Sequence, residues 1–332
     1  MNAQRKQFAL SMLSYAVQRG VDAADLCDAA GIPLQKLQSG SEFELSYSKL
    51  ESLWKHAQQL CKDPLFGLHF GESLQLAALG AVGEIIKSSE TVGQGLILAA
   101  SFTPVVTDLF RMEVDKGGET FMVRLVETNQ AHPKELKQQV ADFLMVFTIH
   151  ELNGLLLKKI APNKIFYSYK MSDEAEYARV FRCNPQTTDG ALTIEFDNTF
   201  WNEPILTANY DIQRIFLEKV SSKVSDPMKN ISFQVSVMDY LMKNAYLGIL
   251  SLEDVAANFN ITPRSLQRRL QDESATFQQL ADSVKKSLAM SYVESGKYQL
   301  KEISYMLGYN ELSAFSRAFK RWTGKAPVDF RS

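Results

Sequence analysis

Cations, amides and hydroxyls recur at helical spacing in two places near the C-terminal end of the chain. Side chains of those types, held on one face of a helix, can donate hydrogen bonds to a polyanion. Within GYNELSAFSRAFKRWTGKAP, residues 308–327, Phe315, Ala318, Phe319 and Trp322 fall at i, i+3, i+4 and i+7 and make one apolar face. Ser313, Ser316, Arg317, Lys320 and Arg321 project from the rest of that helix. Upstream, Leu266 and Leu270 mark the apolar side of a second short helix, which offers Arg264, Ser265, Gln267 and Arg268. Arg can donate two hydrogen bonds to guanine and Gln can pair with adenine, while Ser316 and Lys320 are suited to phosphate. These nine residues are the candidate DNA contacts.

Each set needs an element that presents it. Ser251 and Asp254 form a capping box ahead of Leu252, Val255 and Ala256, and a short turn then leads to Thr262 as N-cap and Pro263 at N1. In the later segment Leu300, Ile303 and Leu307 precede Gly308, suited to a left-handed C-cap, and Asn310 is expected to cap the next helix. The spacing therefore predicts two helix-turn-helix units, at about 251–272 and 299–322. Phe277, Leu280, Val284 and Leu288 predict one long helix between them, from about Thr276 to Glu294. Roughly 19 residues at 1.5 Å each span about 28 Å, close to the ~34 Å between successive major-groove faces.

Charge follows the same division. The whole chain of 332 residues has a net charge of -2, yet residues 228–332 carry 14 Lys and Arg against 10 Asp and Glu. The remainder carries 22 against 28, so a mildly acidic body bears a basic tail, the distribution expected if only the tail meets a polyanion. The polar stretch SKVSDPMKN, with Pro227, is the expected boundary, giving domains of about 1–225 and 228–332.

The first 100 residues have helical periodicity. VVTDLFRMEV and TFMVRLVE flank DKGGE as a β-hairpin, Pro133 opens a long helix to about Ile160, and IFYSY and LTIEF are strands either side of a helix near 173–182. The fold class expected is an α+β N-terminal domain followed by an all-α C-terminal domain. Asp22 to Leu37 also has a helix-turn-helix spacing, but Asp22, Asp25 and Asp28 crowd its first helix, and core packing is the better account.

Other chemistries lack their residues. Cys27, Cys61 and Cys183 are isolated, with no C-x-x-C, and His56, His69, His132 and His150 form no H-x-H or H-E-x-x-H pattern, so no metal site or cofactor is expected. GQG at 93–95 lacks the third glycine of a dinucleotide loop. No nucleophile with its base and no paired carboxylates can be assembled, which argues against an enzyme. Neither a signal peptide nor a membrane span is evident, and the cytoplasm is the expected location.

At the residues of the tail the chain resembles the AraC/XylS family of bacterial transcription regulators. The resemblance covers about Ile231 to Arg331 and centres on ISYMLGYNELSAFSRAFKRWTGKAPVDFR, through Ile303, Leu307, Gly308, Tyr309, Phe315, Arg317, Phe319, Lys320, Gly324, Pro327, Phe330 and Arg331. Ser304 stands where the family usually has Ala, and Ala326 where it usually has Ser or Thr. Gly20, AAGI at 29–32 and DPLFGL at 63–68 are similar to the arabinose-binding-like regulatory domain of one branch of the family. The resemblance implies duplex DNA as partner and an N-terminal domain that senses a small-molecule effector or only dimerises. It also raises RNA polymerase and a second copy of the chain as partners. Arg111 and Arg124 are the candidate contacts for an anionic effector and His150 a further candidate effector contact, with solvent-facing strand positions and a core histidine as the alternatives.

Overall fold

A computed structural model describes residues 2–38, 43–128, 132–156, 160–205, 232–244, 250–296 and 298–330. Contacts divide the chain into two compact units, one formed by the described residues up to Ile205 and one by those from Ser232 onward. The boundary expected around Pro227 lies outside the described residues.

The first unit begins with helices α1 (Asn2–Gln18), α2 (Ala23–Ala29), α3 (Leu34–Gln38), α4 (Tyr47–Cys61), α5 (Phe66–Ser73), α6 (Ala81–Lys87) and α7 (Val92–Val106). Their starts are set locally: the side chains of Asp22, Ser46 and Thr91 accept hydrogen bonds from the first free N–H groups of α2, α4 and α7. The acidic segment from Asp22 buries Ala23, Leu26, Cys27, Ile32 and Leu37, as core packing requires. Next come β1 (Phe110–Lys116), β2 (Thr120–Glu127), α8 (Lys134–Leu156), β3 (Lys164–Tyr167), α9 (Glu174–Phe181), β4 (Gln186–Thr187) and β5 (Leu192–Asp197). The hairpin forms as expected, but Val105 and Val106 belong to α7 rather than to its first strand, because Pro104 sits in the helix without ending it.

The five strands order as β1-β2-β5-β3-β4, antiparallel except for the β3–β4 pair. Period-two alternation buries Phe121, Val123 and Leu125 on β2 and Leu192, Ile194 and Phe196 on β5. Among the helices, the rings of Phe8, Trp54, Phe66, Phe70 and Phe143 pack with centroids 5.4–6.2 Å apart around Phe8 and Trp54. Helix α5 approaches α8 so closely that a Cβ on Gly67 would stand 2.0 Å from the Gln139 carbonyl oxygen. The Gln139 side chain bridges the same contact, accepting from Gly67 N at 2.6 Å and donating to Pro64 O at 2.7 Å.

Two clusters of buried polar groups inside this unit are paired. His69 lies between Asp63 (2.6 Å to Nδ1) and Glu176 (3.0 Å to Nε2), and Arg179 grips Glu72 through two nitrogens. Two carboxylates accept from one imidazole only if both of its nitrogens donate, so this histidine is an imidazolium. Burial works against that charge, but Asp63 and Glu176 outweigh it and raise the His69 pKa to about 9. Asp142, fully buried, accepts from the hydroxyls of Tyr167 and Tyr177. Burial pushes its pKa up to about 7, against those bonds.

The second unit is all helical: α10 (Phe233–Lys243), α11 (Leu252–Asn258), α12 (Pro263–Asp272), α13 (Phe277–Ser295), α14 (Leu300–Met306), α15 (Leu312–Thr323) and α16 (Pro327–Phe330). One core, from Phe233 and Val237 through Leu266 and Leu288 to Phe315 and Phe319, joins them. Helix α13 has 19 residues and a capping box between Thr276 and Gln279, close to the expected bounds. Helix α10 was not anticipated; Glu273 holds its start by accepting from the backbone N–H groups of Phe233 and Gln234, both at 2.7 Å.

Candidate nucleic-acid interface

Two helix-turn-helix units, α11–α12 and α14–α15, flank α13 and repeat the same construction. In the first, Ser251 and Asp254 form the capping box, and Ile261 N bonds Ala256 O across the end of α11 at 3.0 Å. In the second, Tyr309 N bonds Ser304 O across the end of α14 at 2.9 Å. Both are Schellman closures, and both require one left-handed residue. That residue is Asn260 (φ 51°) in the first unit and Gly308 (φ 77°) in the second. Asn tolerates this conformation better than most side chains, so the first turn manages without glycine.

Past each turn the second helix starts differently. Thr262 caps α12 by accepting from Ser265 N at 3.2 Å, with Pro263 at N1. Helix α15 starts one residue later than its counterpart would, with Glu311 rather than the expected Asn310 at the N-cap and no side-chain cap bond. The turn is longer by that residue, and this displaces the cap.

From there the two helices share one pattern. Leu266 and Leu270 are buried in α12 as Phe315 and Phe319 are in α15. Opposite them, at i, i+4 and i+7, stand Arg264, Arg268 and Gln271 on α12, and Ser313, Arg317 and Lys320 on α15, all exposed. Gln267 and Arg321 are exposed at the flanks, and Ser265 and Ser316 are half-buried. Ser265 Oγ lies 2.9 Å from Thr262 Oγ1 within the cap, and Ser313 donates to Glu311 at 3.0 Å. Arg264, Arg268, Arg317 and Lys320 make no side-chain hydrogen bond or ion pair among the described residues. Gln271 escapes a search guided by charge, and the i+7 match to Lys320 is the signal that finds it.

The three effector candidates are not brought together. Arg111 is exposed on β1 and donates to Glu113, and Arg124 on β2 pairs with Asp115 at 3.3 Å, both on the sheet face away from the core. His150 is buried on α8, with Nδ1 3.7 Å from Glu151. Glu151, not His150, lines a cavity between α6, α7, α8 and β1.

Comparison with known proteins agrees with this division. Residues 20–205 match the model of the arabinose-binding domain of AraC transcription regulator, N-terminal, and residues 255–332 match a helix-turn-helix domain. The chain is 26% identical to the ornithine utilization regulator of Pseudomonas aeruginosa over 98% of its own length and 95% of that protein's. It is 24% identical to the transcriptional regulator VirS of Mycobacterium tuberculosis over 81% and 79%. The crystal structure of the regulator CdpR from Pseudomonas aeruginosa aligns over 93% of this chain and 96% of that one at 22% identity, with a TM-score of 0.42, too low to bear on the fold. With its first model covering more than half of its length and its second covering α12 and α15, the chain belongs to the AraC-type family of DNA-binding transcription regulators.

Proposed function

We propose that this regulator reads DNA with both helix-turn-helix units at once, α12 and α15 entering successive major-groove faces on one side of a duplex. The observation that carries this reading is the repeated outward triad, Arg264–Arg268–Gln271 and Ser313–Arg317–Lys320, at the two ends of a 19-residue helix about 28 Å long. Arg264, Gln267, Arg268 and Arg317 are assigned to base edges, and Ser265, Ser313, Ser316, Lys320 and Arg321 to phosphate. The N-terminal unit senses a small effector and passes its state to the reader. The protein performs no catalysis and acts on cytoplasmic DNA; RNA polymerase and a second copy of the chain are the further partners in this reading.

Selection of duplexes from a random pool by the full-length protein tests the proposal. Two short sequence elements with centres about 10–10.5 bp apart are expected, retained in the presence of a chelator. Enrichment of a single element, or of none, sinks the two-reader assignment.

A further inference from the structure

Helix α15 carries one exposed apolar side chain. Leu312, its first residue, is 38% exposed, while Phe315, Ala318 and Phe319 are buried and Ala314 and Trp322 half-buried. Leu312 belongs neither to the core of the second unit nor to the partly buried side chains packed against that core. Pro263, which holds the same place at the start of α12, is half-buried. A lone exposed leucine is ordinary on a protein surface. The place of this one sets it apart.

A recognition helix meets base edges with its N-terminal residues, and Leu312 opens α15 one residue before Ser313, the start of the outward triad. Helical side chains lean toward the N-terminus, so Leu312 leans toward the end of α15 that enters the groove. What an aliphatic side chain can recognise there is narrow. It has no donor for a phosphate oxygen or for the acceptors of guanine and adenine, and pressing it against them strips their water without replacing a hydrogen bond. The major groove presents one apolar group, the 5-methyl of thymine. Contact between leucine and that methyl removes apolar surface from water on both sides and sets thymine apart from the other three bases.

We propose that Leu312 is a specificity-determining residue of the second reader, packed on the 5-methyl group of a thymine in the element that α15 enters. The inference rests on the two-reader assignment given above. The test uses the full-length protein and the duplex it selects from a random pool, with each thymine of the site replaced in turn by deoxyuridine, which keeps every hydrogen-bonding group and lacks only the methyl. For the wild-type protein one such replacement, within one of the two elements, should weaken binding about three- to fivefold, the worth of burying one methyl group. Leu312→Ala should bind the unmodified duplex as weakly as wild type binds that deoxyuridine duplex, and should not distinguish the two. Leu312→Met, apolar and of similar size, should restore the difference. In both variants the melting temperature and the slope of log K against log salt should stay at their wild-type values, since neither core packing nor a phosphate contact is removed. The inference is overturned if no thymine methyl matters to the wild-type protein or if the deoxyuridine penalty persists in Leu312→Ala. It is overturned equally if Leu312→Ala keeps full affinity for the unmodified duplex, which would give the side chain to a protein partner. Two enriched elements without a methyl-sensitive thymine leave the two-reader assignment standing and remove Leu312 from it. A single element whose methyl effect is lost in Leu312→Ala does the reverse, and no enriched sequence at all refutes both.

Discussion

In the proposed two-reader arrangement, adjacent arginines on α12 divide DNA reading from folding. Arg268 stands opposite the buried Leu266 and Leu270 and makes no contact that the fold uses. Arg269 turns back onto the domain: its guanidinium lies 3.9 Å over the Phe233 ring, within the field of Glu273, which itself holds the start of α10. Arg268→Ala should therefore leave stability within about 0.5 kcal/mol of wild type. If its guanidinium pairs with a base edge, the loss on a selected site is about 1–3 kcal/mol, or about 5- to 140-fold at 1.4 kcal/mol per factor of ten. Arg269→Ala should do the reverse. It removes a partly desolvated cation–π contact of about 1 kcal/mol and the packing of the aliphatic stem, so it lowers the melting temperature while the folded protein keeps its affinity. The assays are thermal unfolding by circular dichroism and affinity for one selected and one scrambled duplex at three salt concentrations. Equal loss on both duplexes would make Arg268 a phosphate contact and refute its place at a base edge. Loss of affinity without loss of stability in Arg269→Ala would refute the division of roles.

Lys320→Ala should weaken both duplexes alike and reduce the slope of log K against log salt by about 0.9, one phosphate's worth; a selective loss would put Lys320 at a base. Ser304→Ala should raise stability by about 1 kcal/mol, because the Ser304 hydroxyl is fully buried with no hydrogen-bond partner among the described residues, and a lower melting temperature would show that the hydroxyl is bonded. Gly67→Ala should destabilise the N-terminal unit by about 1–3 kcal/mol, since its Cβ would press on the backbone of Gln139, not on a side chain that can move aside; an unchanged melting temperature would mean that α5 and α8 are not in contact there. The His69 pKa lies at about 9 against an ordinary 6.5, so its stabilisation is full below pH 6.5 and is lost as pH rises through 9. His69→Gln should flatten the melting temperature across that window, and an unchanged slope would remove His69 from the balance.

The tail is legible because its signals act within one turn of chain. Thr262 and Pro263 start α12 where they stand, Gly308 takes the left-handed conformation that its place after an apolar stripe demands, and Thr276 opens α13 with its own capping partner. Asn260 does the work of Gly308 in the first unit, yet its residue type alone does not announce it; only laying the two units side by side makes it visible. The N-terminal unit depends instead on pairings between distant segments. Gly93, within a GQG that resembles a fragment of a phosphate loop, is glycine because a Cβ there would lie 2.3 Å from the ring of Trp201, and nothing near residue 93 records that ring. Glu151 is hidden for a related reason. On α8 it is one buried residue among many, and it lines a cavity only where α6, α7 and β1 leave space beside it. A search for cations to hold an anionic effector selects Arg111 and Arg124, which the alternation of their strands turns to solvent and pairs with Glu113 and Asp115. The lining of a cavity is a property of the closed space, so its character has to be taken from the walls that meet there rather than from any one segment that supplies them.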